Sequence, residues 1–296
     1  MNYAIGIDLG GTNIKAVAVT ADGERLEHSS SEIEDEAAGA LAETIRQQIA
    51  LFERHLDGLK ASCAGIACPG QPASDGLSMT STGGRLHGLE GVAWANLLHT
   101  EYPIPLLNDA HAALLGEIWK GAGRGCRDVV LLTLGTGVGG AILSGGRLLK
   151  GHIGRAGHLG HICLDVDGAP DIIGIPGSLE DAIGNSTLAV RSGGRFTTTR
   201  QLVEAHRAGD KQATDIWLRS VYKLACAVAS IINMLDPEVL ILGGGIAQAG
   251  EALFEPLLRF MDKVEWRPQG NRVRIIPATL GEMAGALGAA YHALHA

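Results

Sequence analysis

The run Ile5-Gly6-Ile7-Asp8-Leu9-Gly10-Gly11-Thr12-Asn13-Ile14-Lys15-Ala16-Val17-Ala18-Val19 constrains the fold more than any other stretch. Two short apolar segments, rich in β-branched residues, flank a glycine turn, which reads as a two-stranded hairpin and not as one helix. Gly10 and Gly11 permit positive φ in the turn and let a ligand approach the backbone. The turn amides, Thr12, Asn13 and Lys15 could cradle phosphate oxygens, and Asp8 at the strand end could hold a hydrated magnesium ion. Taken alone, the same residues also describe an ordinary hairpin turn with an exposed Asp and Lys nearby.

A second copy weighs against the plain turn. Residues 129–143 repeat the order, with Gly135-Thr136-Gly137 between two apolar runs. A third cluster, Gly243-Gly244-Gly245, follows the strand-like Val239-Leu240-Ile241-Leu242. Glycine turns at successive strand ends suit the phosphates and nucleoside of a nucleotide.

The chain of 296 residues, 46% of them hydrophobic, suffices for two domains. A net charge of −8 without a Lys/Arg block argues against DNA or RNA as partner. Five scattered cysteines without a C-x-x-C pair fit reduced thiols. No signal-peptide pattern is present, and the apolar stretch 224–235, about 12 residues interrupted by Asn233, is too short to cross a bilayer. The expectation is a cytoplasmic protein that does not enter a membrane.

Along the chain, Leu41, Ile45, Ile49, Phe52 and Leu56 predict an amphipathic helix over 37–56. A buried strand over 64–68 runs into Pro69-Gly70, at the strand end where α/β sheets bind ligands. Residues 80–96 are glycine-rich and irregular; Arg85 and His87 there are either substrate-loop residues or solvated surface. A strand over 105–107 and a helix over 110–120 leave Asn108-Asp109 at their junction. Asp109 is either the helix N-cap or a general base pointing into a cleft. In 144–185, the irregular part, His152, His158, His161 and Cys163 are weak as a metal motif and read as well as hydrogen-bonding side chains. Ser178 and Asp181 resemble a capping box opening a helix towards Val190. A helix over 213–235 stops at Asp236-Pro237. Thr279 to Glu282 is read as another capping box, opening a terminal helix that Gly285 and Gly288 allow to pack closely.

Together, Asp8-x-Gly10-Gly11-Thr12, Asn108-Asp109-Ala110, Leu134 to Gly140, Gly157-x-x-Gly160-His161, Gly243 to Gly245 and Gly281-Glu282-x-x-Gly285-Ala286-x-Gly288-Ala289-Ala290 resemble, in order, the ROK family of bacterial sugar kinases and repressors. The resemblance spans residues 4–291. It implies an actin-like, ribonuclease-H-like ATPase fold, with two α/β domains around a closing cleft. The expected domains are 1–107, joined by a terminal helix at about 280–296, and 108–279. It further implies ATP, Mg2+, a sugar acceptor and a homodimer. Asp109 would be the catalytic base. Asn108, Glu180, His161, His158, Gly70 and Arg85 would meet the sugar, and Asp8, Gly10, Gly11, Thr12, Asn13, Lys15, Gly135, Thr136, Gly137, Gly244 and Gly245 would hold the nucleotide, with Asp8 reaching Mg2+ through water.

This chain also departs from the family pattern. His158 stands where the family usually has a sugar-contacting Glu, which resembles the N-acetylmannosamine kinases. Arg85 replaces the amide of the sugar loop, and His111 a further Asn. Together Arg85 and His158 suit an acidic, acetylated or phosphorylated sugar; alternatively Arg85 pairs with a nearby acid. The zinc motif's cysteines would fall at Asp171, Ile173 and Ser178, so no structural zinc is expected. The repressors' extra N-terminal domain is missing ahead of the first strand at about Tyr3. A kinase is therefore expected, and the alternative is a catalytically weak sugar sensor or regulator of the same family.

Overall fold

The computed structural model describes residues 2–82, 86 and 88–296. The opening hairpin forms as β1 (Tyr3–Leu9) and β2 (Asn13–Thr20), followed by β3 (Arg25–Glu32), α1 (Ala38–His55), β4 (Cys63–Cys68), β5 (Gln71–Pro72), β6 (Met79–Ser81), α2 (Trp94–Leu98), β7 (Leu106–Asn108) and α3 (Asp109–Lys120). A second series follows: β8 (Val129–Leu134), β9 (Val138–Ser144), β10 (Arg147–Leu148), α4 (Leu179–Ile183), α5 (Leu188–Arg191), α6 (Thr199–Arg207), α7 (Lys211–Leu235), β11 (Val239–Gly243), α8 (Glu251–Val264), β12 (Arg274–Pro277) and α9 (Ala284–Leu294).

Two sheets share one topology, β3-β2-β1-β4-β7 and β10-β9-β8-β11-β12. In each, the first strand of the unit forms a hairpin with the next and runs parallel to a later strand, β1 with β4 and β8 with β11. The glycine turns after β1 and β8 thus occupy equivalent places. So do Gly70 after β4 and Gly244 after β11, both at positive φ, +99° and +84°. A β-carbon at either would fall 2.0 Å from the Ser81 carbonyl oxygen or 2.3 Å from that of Leu134, so both positions require glycine.

The chain resolves into two units, Met1–Gly125 with Leu148–Ala156 and Thr279–Ala296, and Cys126–Arg147 with Gly157–Ala278. The first unit continues past the expected boundary at 107 because α3 packs on α9. That packing follows from side-chain alternation in β1. Tyr3, Ile5, Ile7 and Leu9 join the core beneath α1, while Ala4, on the other face, packs against Ala286, Leu287 and Ala290 of α9. Small residues let the helix lie on the sheet: a β-carbon at Gly6 would meet Ala286 O at 1.8 Å, and one at Gly288 would meet Ala112 O at 1.7 Å.

Thr279 does not cap α9, which shows no side-chain cap. Its amide and hydroxyl both donate to Glu117, at 2.9 and 3.1 Å. Glu117, fully buried, also accepts from Leu280 N at 2.9 Å and Ala122 N at 2.7 Å. Four donors satisfy a carboxylate that would otherwise be costly to bury. The same side chain ties α3 to the segment entering α9.

In the second unit, Ser178 caps α4 by accepting from Asp181 N, but the helix ends at Ile183 instead of reaching Val190. Gly184 breaks it at φ −56°, ψ 148°, and α5 starts separately. Helix α7 has the length and composition of a membrane span, yet half of its apolar window is buried, with Trp217, Val221, Leu224, Val228 and Ile231 in the core of the second unit.

Candidate active site

In the first unit the same alternation that seats α9 aims Asp8 at that helix. A β-carbon at Gly285, in the first turn of α9, would lie 2.6 Å from Asp8 Oδ2, so glycine is what admits the carboxylate. Lys15 is the antiparallel partner of Asp8 across the hairpin, and its Nζ pairs with Glu282 Oε2 at 3.3 Å. Neither Gly10 nor Gly11 uses the positive φ open to glycine. The turn closes instead by Gly10 N donating to Asn13 O at 3.0 Å, while nothing lies within 4 Å of a β-carbon at Gly11. Asn13 Nδ2 donates to Thr12 Oγ1 at 3.0 Å.

At the β7–α3 junction Asp109 is not the helix cap. Asn108 is the N-cap, extended at φ −60°, ψ 146°, and its side-chain oxygen accepts from the amides of Ala110 and His111. Its Nδ2 donates to Gly70 O at 2.9 Å. Asp109 is the first helical residue, exposed, with Ala110 N donating to its Oδ1 at 2.8 Å. His111 turns inward, buried, with Nε2 donating to Ala156 O at 3.0 Å.

Asp8 and Asp109 share one electrostatic field. Burial, then the charge of Asp109, pushes the Asp8 carboxyl up to about 7, against the pull of Lys15. Burial pushes the Cys68 thiol up to about 12, with Asp109, Asp8 and Glu90 adding to it. Cys68 ends β4 and passed unnoticed in the sequence, where it read as one more apolar strand residue.

The residues fit a magnesium site of the kind that keeps most of its water: a carboxylate whose ionisation is opposed by burial and a second acid gains from a cation. The unfolded chain loses the Asp8 proton near the ordinary carboxylate value, about 4, whereas the folded chain keeps it to about 7. The stability from this group is therefore full below about pH 4, declines as pH rises across that window, and is gone above 7. The melting-temperature gain from millimolar Mg2+ without nucleotide should then be larger at pH 8 than at pH 5.5. Equal gains at both would remove Asp8 as the metal's carboxylate.

In the second unit, Gly135 N donates to Gly137 O at 2.9 Å and closes the turn after β8. Glu180 of α4 lies against that turn: its Oε2 accepts from Val138 N at 2.9 Å, and a β-carbon at Gly137 would meet it at 2.2 Å. The turn also takes Asn185 N on Gly135 O and Ser186 N on Thr136 O, each at 2.9 Å. Gly160 packs on Val138, whose carbonyl oxygen would stand 2.0 Å from a β-carbon there. That packing seats the 3-10 turn Leu159–His161, with His158 exposed at its start and His161 partly buried at its end. Gly245 is open to at least 4 Å and begins the 3-10 turn Gly245–Ala249.

His161 Nδ1 lies 2.7 Å from Asp171 Oδ2, one of the three positions where the resemblance implied a zinc-motif cysteine. Among the described residues no cluster of three or more His, Cys, Asp or Glu could hold a metal ion. Behind this pair a cavity of about 770 Å³ is lined by Asp171, Ser178, Asp181, Arg191 and Ile216, and by neither His161 nor Glu180. Arg85 and His87 lie outside the described residues.

Paired five-stranded sheets of one topology, glycine turns at equivalent strand ends and a carboxylate at a strand–helix junction define an actin-like α/β ATPase fold. The chain belongs to the ROK family, which it matches over residues 4–296. It is 33% identical to the glucokinase of Thermotoga maritima, over 97% of this chain and 95% of that protein. Among solved structures it resembles the ROK hexokinase of Thermus thermophilus, with TM-score 0.86 and 31% identity over 98% of this chain and 97% of the other. It also resembles a ROK glucokinase of Streptomyces griseus in complex with glucose and AMPPNP, with TM-score 0.82 and 25% identity over the full length of both.

Proposed function

We propose that this protein is an ATP-dependent sugar kinase that transfers the γ-phosphoryl group to a hydroxyl of a hexose or amino-sugar-like substrate. The observation that carries the reading is the division of labour at the start of α3: Asn108 caps the helix, and Asp109 beside it shares a field with Asp8. Asp109 accepts the proton of the attacking hydroxyl as its oxygen bonds to phosphorus, and the bond to the bridging oxygen of ADP breaks. Phosphoryl transfer runs through a loose transition state, so most of the acceleration comes from positioning and charge neutralisation. Magnesium would supply neutralisation of the phosphate charge, and Asp8 would be the residue that holds it.

The turn at Gly10, Gly11, Thr12, Asn13 and Lys15 serves the phosphates, and Gly135, Thr136, Gly137, Gly244 and Gly245 serve the nucleotide. The open faces of Gly11, Gly135 and Gly245 support this. Asn108, Gly70, Glu180, His161, His158 and Arg85 serve the sugar. Glu180 keeps one oxygen for that role, since only Oε2 is taken by Val138 N. The bound glucose and AMPPNP of the Streptomyces griseus relative support a sugar and ATP as the two ligands. A cytoplasmic location fits the free state of all five cysteines. A homodimer fits the exposed Val166, Ile172, Ile173, Val190 and Tyr222 of the second unit.

ADP release measured across glucose, mannose, N-acetylglucosamine, N-acetylmannosamine and their acidic counterparts should rise above the sugar-free rate with at least one of them. A flat response over the whole panel would contradict the kinase reading.

A further inference from the structure

The loop after His161 closes on its own backbone. Leu164 N donates to Gly177 O at 3.0 Å, Gly177 N to Ala169 O at 2.9 Å, Leu179 N to Ile162 O at 3.0 Å and Asp171 N to Ile175 O at 2.9 Å. Within it the Asp171 side chain is fully buried, while that of His161 keeps 18% of its exposure. Asp171 Oδ1 accepts from the amides of Ile173 and Ile175 at 3.0 and 2.9 Å, and Oδ2 faces His161 Nδ1. Burial pushes this carboxyl up, but the hydrogen bonds from His161, Ile175, Ile173 and Ser178 together outweigh it and hold it at about 2.

Asp171 is therefore ionised at any physiological pH, and an ionised carboxylate only accepts hydrogen bonds. The proton between the two groups must sit on His161 Nδ1. A neutral ring so fixed presents Nε2 as an acceptor, because the partner of one ring nitrogen sets the role of the other.

We propose that Asp171 is a positioning residue that holds His161 in the Nδ1-protonated tautomer, so that Nε2 accepts a hydrogen bond from a substrate hydroxyl. This rests on the sugar-kinase reading for the identity of the substrate, not for the tautomer. It narrows that substrate to sugars with a hydroxyl donor facing His161: an ether or deoxy position there leaves Nε2 unpaired.

Asp171→Asn discriminates positioning from loop support. The amide oxygen still takes Ile173 N and Ile175 N, but the amide nitrogen donates to Nδ1 and moves the ring proton to Nε2. Two measurements decide. Imidazole nitrogen chemical shifts of sugar-free protein should report the Nδ1-protonated ring at His161 in the wild type and the Nε2-protonated ring in Asp171→Asn. The variant should melt close to the wild type and lose about 10–100-fold in kcat/KM for sugar, with KM for ATP unchanged. An Nε2-protonated His161 in the wild type overturns the proposal, and so does a tautomer switch that leaves sugar kcat/KM unaltered. If the wild type turns over no sugar, the kinase reading fails, and the nitrogen spectra alone still decide whether Asp171 sets the tautomer.

Discussion

Asp109→Asn is expected to lower kcat by about 10²–10⁴-fold, the usual contribution of a positioned general base. The helix should survive the change, because the cap is Asn108, which keeps both of its amide partners, and an Asn side-chain oxygen at 109 can still accept from Ala110 N. An amide has no proton affinity to offer the attacking hydroxyl, so the loss should fall on kcat while KM for sugar and ATP stay within a few-fold. Removing one charge also relieves Asp8, whose carboxyl is raised partly by Asp109, so the Asp8 ionisation should move down in the variant. Steady-state kinetics at saturating ATP measure the first effect, and the pH dependence of the melting temperature measures the second. A variant that keeps more than a tenth of wild-type kcat would exclude Asp109 as the base.

Gly288→Ala should have the largest effect on stability. The added methyl would stand 1.7 Å from Ala112 O and 2.5 Å from its carbonyl carbon, both backbone atoms of α3, so neither can swing aside. Helix α9 would have to lift from α3, and with it from β1, where Gly6 admits Ala286 O equally closely. Overpacking of this kind costs about 3 kcal/mol or more, and the first unit should unfold in urea well before the wild type. Gly39→Ala in α1 is the matched control: nothing lies within 4 Å of its β-carbon, and it should be neutral or stabilising by up to about 1 kcal/mol. Comparable midpoints for the two variants would refute the close packing of α9.

The hairpin, α1, α7 and the strands before each glycine cluster were readable from alternation and helical spacing, since these patterns report local burial. The packing role of Gly285 and Gly288 was also readable, from glycine within an alanine-rich helix. Gly6 was not, because the residue it accommodates is Ala286, at the opposite end of the chain. Asn108 and Asp109 are both good caps, and sequence alone cannot choose between neighbours; the extended backbone at Asn108 makes it the cap. The capping-box pattern at Thr279 misled because a buried carboxylate at Glu117, itself distant in sequence, competes for the hydroxyl. Residue type at Gly10 and Gly11 shows only that positive φ is permitted, and the turn's own Gly10–Asn13 hydrogen bond forms without it. Asp171 stood in the sequence only as a missing cysteine, and its bond to His161 is visible only once the loop is folded.

Phosphorus NMR of the purified protein with ATP, Mg2+ and the best sugar of the panel tests the assignment most directly. The kinase reading predicts one sugar phosphate ester formed for each ADP, at a rate that Asp109→Asn lowers by about 10²–10⁴-fold. Inorganic phosphate in place of the ester, or no change in the ATP resonances with any sugar, would contradict it.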